Sequence, residues 1–259
     1  MIDICVVTTF QREELLYLCL EAIRTNDPKV SIWVFSDRGA KSEELLATCD
    51  KFEASLSVRG QHDTYGNSWN LLGSLIEIMA TTSFDFIHII EDDTILHRGY
   101  LAWARERLAS RQFACVCGRI GSPHITNWYE SPCASWITGA LADALAHVIP
   151  DYFSDDRKEM QRILDEKIFP ESKYKKGGAE QDGFFLRCIE YHGWKTLFPN
   201  KPLATHLGWW GYNSPPLREK PTGAFSDRVE ACRNMLRNIP RRRELFGHRI
   251  TDEEVAGMK

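Results

Sequence analysis

The chain has 259 residues, of which 43% are hydrophobic, and this is enough for a full-sized core built as one large α/β domain or two small ones. Its formal net charge of −4 excludes a global electrostatic pull toward nucleic acid or anionic membrane, so an anionic ligand must be held by a local patch or by a metal. No apolar run approaches the roughly 20 residues of a membrane span, which excludes a helical integral membrane protein.

Met1-Ile2-Asp3-Ile4 enters an apolar strand directly, with no charged leader or small-residue cleavage site, so the expectation is a cytoplasmic protein without a signal peptide. Most of the eight cysteines sit in apolar periodic segments (Cys5, Cys19, Cys188) and are expected to be reduced. Cys115-Val-Cys117 alternates like a strand and lacks zinc-site spacing.

Ile4–Val7 is a short, fully apolar run of the kind found in buried parallel strands. Leu15, Leu16, Cys19, Leu20 and Ile23 recur at helical spacing over Glu13–Arg24, and Asn26-Asp27-Pro28 stops that helix. Ile32–Phe35 is the second strand, completing a βαβ unit. A helix over Ser42–Cys49 and a weak strand over Glu53–Val58 follow. The next helix is capped by Tyr65–Ser68 and has Trp69, Leu72, Ile76 and Met79 as its expected apolar face. Phe86–Ile90 is a further buried strand, then come a helix over Tyr100–Leu108 and a strand over Phe113–Cys117.

Gly118–Pro132 reads as an aromatic loop, Ser135–Ile137 as a strand and Leu141–Ile149 as a helix. Glu171–Gly178, rich in lysine and glycine, reads as a mobile loop. A helix over Glu180–Tyr191, a strand over Thr196–Phe198 and a helical tail over Phe225–Lys259 complete the chain, with no repeats or clear linker.

The strongest chemical signal is Glu91-Asp92-Asp93, directly after the strand Phe86–Ile90. Neighbouring like charges raise each other's pKa unless something positive intervenes, and a divalent cation with a preference for oxygen ligands is the usual resolution. Ligands of open α/β sheets bind beyond the carboxyl ends of strands, where this triplet falls. The alternative is a solvated loop capping the helix near Gly99.

Taken together, Ile4–Phe10 with Arg12, Asn26-Asp27-Pro28, Trp33–Asp37 and His88–Asp93 resemble GT-A glycosyltransferases, with the family 2 enzymes and the N-acetylglucosaminyltransferase I group as the nearest patterns and Glu91–Asp93 as an EDD form of the DXD motif. The resemblance follows the order of elements over residues 1–210 and is detailed over the first 110. It implies an α/β GT-A fold with a mostly parallel central sheet flanked by helices. Residues 1–117 would form the nucleotide-sugar half, 118–224 the acceptor and catalytic half, and 225–259 a basic helical tail. Thr8, Phe10 and Arg12 would frame the nucleotide base and ribose, and Asp37 would accept hydrogen bonds from them. Gly66, Asn67 and Asn70 would lie at the helix start that touches nucleotide and sugar. Asp93 would bind Mn2+ or Mg2+ bridging the diphosphate, with Asp92 and Glu91 holding ribose, sugar or metal-bound water.

Inverting transfer needs a carboxylate base near the acceptor hydroxyl. The helix start Gly177–Asp182 fits the acidic segment where such enzymes carry it, which implies Asp182, with Glu180 second. Ala204–Gly208 resembles the segment that supplies a late metal-binding histidine, here His206, and imidazole suits Mn2+ better than Mg2+. Trp136, Gly139, Trp209 and Trp210 are the acceptor candidates, the tryptophans offering flat faces for sugar or base recognition. Lys173, Lys175 and Lys176 are placed to close over the diphosphate.

The acceptor is less defined. Residues 225–249 carry seven arginines against three acids, a local charge of +4, so DNA with hydroxymethylated pyrimidines is one expected acceptor, through the tail, and a saccharide or other small molecule is the alternative. A nucleotidyltransferase would need glycines where this chain has Thr8–Arg12. A non-catalytic carbohydrate- or nucleic-acid-binding protein would need neither the acidic triplet nor the later acid–histidine pair.

Overall fold

The computed structural model describes residues 2–37, 41–59, 66–118, 125–126, 129, 133–154, 156–174, 178, 180–208 and 220–237. In chain order the elements begin with β1 (Asp3–Thr9), α1 (Glu13–Asn26), β2 (Ser31–Ser36), α2 (Glu43–Lys51), β3 (Ser55–Val58), α3 (Gly66–Thr81), β4 (Phe86–Glu91), β5 (Thr94–Leu96) and α4 (Tyr100–Ala109). They continue with β6 (Cys115–Cys117), β7 (Ile125–Thr126), β8 (Cys133–Ile137), α5 (Thr138–Leu145), α6 (Arg157–Ile163), α7 (Gln181–Tyr191), β9 (Thr196–Leu197), β10 (Ala204–His206) and α8 (Phe225–Arg237). A π turn over Leu164–Ile168 extends α6.

Eight strands form one sheet in the order β3-β2-β1-β4-β8-β6-β9-β7. The first four are mutually parallel, β8 runs against both β4 and β6, and β5 pairs separately with β10. Alternation along β1 sends Ile4 and Val6 to one face, with α3, α5, α6 and α7, and Cys5 and Val7 to the other, with α1, α2 and α4. This is the expected α/β architecture with a mostly parallel sheet flanked by helices. All eight cysteines are buried and unbridged.

Local chemistry explains the element ends. Glu13 and Glu14 occupy the first turn of α1 and Ser42 caps α2 by accepting from the Leu45 amide at 3.1 Å. The apolar face of α3 is corrected: Leu71, Leu72, Leu75 and Ile78 are buried, whereas Ile76 is 42% exposed. That helix is apolar on several sides, so periodicity alone did not select its face. The three-residue strands β5 and β10 and the helix α6 were not expected from the sequence.

The described part of the tail, α8, packs on α1 through Val229 and Cys232 against Leu15 and Leu18. Its arginines answer carboxylates: Arg228 pairs with Glu14 and Glu44, Arg233 with Glu21, and Arg237 with Glu230.

Buried polar groups in the sheet are satisfied as a chain. His88, fully buried on β4, meets Ser135 at 2.7 Å and Asp3 at 3.0 Å, Ser135 meets Tyr100 at 2.7 Å, and Arg105 pairs with Asp3 and Asp27. His97, after β5, faces the Thr205 hydroxyl at 2.8 Å. Burial pushes its pKa down to about 4, against a backbone hydrogen bond to Pro202 that raises it. The unfolded chain therefore takes up the His97 proton near pH 6.5 while the fold resists it, and this stability is lost as pH falls from 6.5 toward 4. The stability advantage of the wild type over His97→Gln is expected to shrink by about 2–3 kcal/mol between pH 7 and pH 4.5, read from urea unfolding at each pH. A gap that stays constant would contradict a neutral buried His97.

Candidate functional site

Parallel strands β1, β2 and β4 end together, and their carboxyl ends carry the polar residues. Register sets Thr8 opposite Phe35 on one side and Glu91 on the other. Thr8 is buried at the strand end, Phe10 is half-buried just beyond it, and Asp37, also buried, is tied to this edge by its amide on the Thr9 carbonyl at 3.0 Å. The left-handed turn at Gln11 (φ 53°) leads into α1, whose first turn uses the Arg12 carbonyl as acceptor for the Leu15 and Leu16 amides.

Asp92 is fully buried and Asp93 is 2% exposed, which is costly for two adjacent carboxylates. Arg12 supplies the first compensation. Its Nε donates to Asp92 Oδ2 at 3.2 Å, its Nη2 pairs with Asp92 Oδ1, and its Nη1 donates to Asp93 Oδ2 at 2.9 Å. The Thr9 hydroxyl donates to Asp92 Oδ2 at 2.7 Å. His206 supplies the second: its Nε2 lies 3.1 Å from Asp93 Oδ1 and 3.3 Å from Glu91 Oε2.

These contacts set the protonation states. Burial pushes Asp93 up, but Arg12 and His206 outweigh it and hold the carboxyl at about 2. Burial and the neighbouring acids push Asp92 upward against Arg12 and Thr9. Burial lowers His206, yet its hydrogen bonds to Asp93 and Glu91 dominate and lift it to about 10, so it is an imidazolium when no metal is bound.

The short ladder between β5 and β10 explains how a distant histidine arrives here. The triplet runs directly into β5, His206 lies opposite Thr94, and the Leu207 amide donates to the Asp93 carbonyl at 2.8 Å. Glu91, Asp93 and His206 each offer one ligand atom, all within 4.8 Å of one another. Two ligands of one cation with bonds near 2.1 Å lie at most about 4.2 Å apart, so small side-chain adjustments suffice. Two carboxylate oxygens and an imidazole nitrogen are a donor set that fits Mn2+ or a similar divalent ion.

The second helix layer brings another acidic group to the same edge. Asn70, near the start of α3, donates to the Phe35 carbonyl at 3.0 Å, so α3 begins at the carboxyl end of β2. Ser68 accepts from the Gln181 amide at 3.1 Å and donates to Gln181 Oε1 at 2.8 Å, which fastens the start of α7 to the start of α3. Asp182 is exposed in the first turn of α7, and Glu180 pairs with Arg157 at 2.6 Å. Buried Arg187 braces this start, donating to the Gly178 and Gly183 carbonyls at 3.1 and 2.8 Å and to Asp165 at 2.8 Å. A Cβ at Gly183 would sit 2.0 Å from the Gly178 oxygen, so the approach needs glycine.

Arg12 grips Asp92 and Asp93 and keeps 21% of its side chain exposed at the edge where nucleotide base and ribose are expected. Several other expectations are corrected. Asn70, 1% exposed, is a buried strap in the wall of the site and presents no surface to a nucleotide. Trp136, with no exposed surface, packs among Tyr129, Phe185 and Trp194 in the core. Gly139 follows β8, which is antiparallel to β4, so it lies at the opposite edge of the sheet: Ile137 pairs with Phe86, and the Thr138 amide reaches the Asp85 carbonyl. Lys173 pairs with Glu190 near the far end of α7. The side chain of Asn67, and all of Lys175, Lys176, Trp209 and Trp210, lie outside the described residues. Thr9 was not among the expected site residues, although its place two residues before the turn at Gln11 is visible in Thr8-Thr9-Phe10-Gln11.

Comparison with known proteins gives the family. Residues 4–142 match the family model described as glycosyltransferase like family 2. No curated protein sequence matches the chain. Among solved structures, S. aureus TarS is similar with a TM-score of 0.54 and 12% identity over 79% of this chain and 36% of that one. Its fragment 1–349 gives 0.49 and 12% over 77% and 58%. Glucosyl-3-phosphoglycerate synthase from Mycobacterium tuberculosis, in complex with uridine diphosphate, gives 0.43 and 14% over 64% and 66%. The chain thus spans less than two thirds of the length of each, and the similarity to full-length TarS is one of fold. With the family match covering more than half of its residues, and with the sheet of a GT-A glycosyltransferase, this chain belongs to the glycosyltransferase family 2-like proteins.

Proposed function

We propose that this chain is a metal-dependent glycosyltransferase that moves a sugar from a nucleoside-diphosphate sugar to an acceptor hydroxyl. The observation that carries the reading is the convergence of Glu91, Asp93 and His206 at the carboxyl edge of the sheet, next to Asp37. When bound, a divalent cation would neutralise the charge that develops on the departing diphosphate. Glu91, Asp93 and His206 would hold it, and His206 would give up its proton to do so. Thr8, Phe10 and Asp37 line the nucleotide side. Arg12 keeps Asp93 ionised and holds Asp92 and Asp93 aligned, and Thr9 fixes the Asp92 rotamer.

Asp182, exposed at the start of α7, is the proposed base that takes the acceptor proton, and with it goes inversion at the anomeric carbon. Glu180, engaged by Arg157, is the second candidate. The acceptor supplies a hydroxyl, either on a hydroxymethylated pyrimidine of DNA or on a saccharide or other small molecule. For DNA, the support from Arg228, Arg233 and Arg237 is weakened by their carboxylate partners, which leaves Arg241, Arg242, Arg243 and Arg249, outside the described residues.

Thermal shift with UDP-, GDP-, CMP- and dTDP-sugars, each with Mn2+ or with EDTA, tests the donor site. One nucleotide should raise the Tm by about 2–4 °C at a fivefold excess over Kd, only with metal, and Asp93→Asn should abolish the shift. No shift from any nucleotide at saturating Mn2+ would refute the reading. Asp182→Asn should lower kcat by about 100-fold or more while leaving donor KM within about threefold, and an unchanged kcat would remove Asp182 as the base. Arg12→Met leaves two buried carboxylates without their guanidinium. It should cost about 3 kcal/mol in urea unfolding, and added Mn2+ should stabilise this variant more than the wild type. Equal Mn2+ stabilisation of both proteins would show that Arg12 and the cation do not share the same charges.

A further inference from the structure

The helices α5 and α7 end beside each other. Just past α5 stands His147, and His192 is the C-cap of α7. Their Nε2 atoms lie 3.1 Å apart. Two imidazoles bound to one tetrahedral cation, with bonds of about 2.0–2.1 Å, hold their nitrogens about 3.3 Å apart, so this pair already stands at chelating distance.

The rings are held in place by other aromatic groups. His192 stacks on Trp194 at 4.1 Å between centroids and 9° between planes. His147 lies against Phe169 at 5.1 Å and Tyr191 at 4.9 Å. Both rings are half-buried, so solvent ions can reach them. Each histidine stands where a helix ends and its carbonyls point outward, and this negative end favours a cation. Burial and the facing His192 lower the His147 pKa, while Asp143, one turn back on α5, raises it. The neutral imidazole, the form that binds metals, is therefore favoured at neutral pH.

We propose that His147 and His192 form a second cation site, for a borderline transition ion such as Zn2+, Ni2+ or Cu2+, with water completing the coordination. It would be independent of the donor-site cation, because its two nitrogens select a softer ion than the oxygen-rich Glu91–Asp93 cluster. It would cross-link the distal ends of α5 and α7, and α7 carries Asp182 at its other end.

The test uses tag-free protein and Zn2+ alone as the probe, without nucleotide. In Asp93→Asn,His206→Gln protein, where the donor-site cluster is disabled, Zn2+ at a fivefold excess over Kd should raise the Tm by about 2–4 °C. Adding His147→Gln or His192→Gln to that background should each remove the shift. Cu2+ electron paramagnetic resonance on the same background should show hyperfine splitting from two imidazole nitrogens. No Zn2+ shift, a shift that survives both histidine changes, or a copper spectrum without imidazole nitrogen would each overturn the site. The donor-site reading would be untouched by these results, since it is tested by nucleotide-dependent shifts in the wild type.

Discussion

Three acidic side chains in a row at the end of a buried strand are the constraint around which this structure is arranged. Asp92 and Asp93 have almost no solvent to stabilise their charge, so the protein must supply positive groups at short range. It draws them from far away in sequence: Arg12 from the N-cap of α1 and His206 from β10. The rest of the carboxyl edge follows from these two pairings. The left-handed turn at Gln11 lets α1 begin where Arg12 can reach the acids, and the β5–β10 ladder carries His206 to their other side.

The compensation is of a kind that a cation can join. Arg12 is fixed by three contacts to two carboxylates, whereas His206 shares its Nε2 between Glu91 and Asp93 through a proton that can leave. One partner is a structural cation and the other an exchangeable one. Placing both at the carboxyl ends of β1 and β4, beside Asp37 just after β2, puts the exchangeable charge where ligands of open α/β sheets bind. The start of α7 arrives at the same edge because Ser68 and Gln181 lock two helix N-termini together and Arg187 braces the glycine turn behind them.

Much of the first half was legible in the sequence. The runs Ile4–Val7 and Ile32–Phe35 are fully apolar, Phe86–Ile90 is apolar apart from His88, and all three end in polar groups, so both the strands and their functional edge could be read. His206 was reached through a segment resemblance, and the structure adds the ladder that positions it. What failed had physical causes. Strand direction leaves no mark in an apolar run, so the antiparallel β8 put Gly139 at the opposite edge, and Trp136 falls on the core-facing side of that strand. Three-residue strands such as β5 and β10 carry too little periodicity to detect. The helix α3 is apolar on several sides, which hid its buried face. The carboxylates that Arg12, Arg228 and Arg233 meet across the fold were not visible either, because a sequence does not display partners that lie far apart along the chain.

The most direct test of the central claim is a crystal of the protein grown with Mn2+ and a nucleoside diphosphate, measured for anomalous scattering from manganese. The account predicts one strong anomalous peak within about 2.3 Å of the Glu91 and Asp93 carboxylates and His206 Nε2, with Arg12 still on Asp92. A bound nucleotide with no manganese at that position, or manganese held elsewhere while His206 remains paired with Asp93, would contradict it.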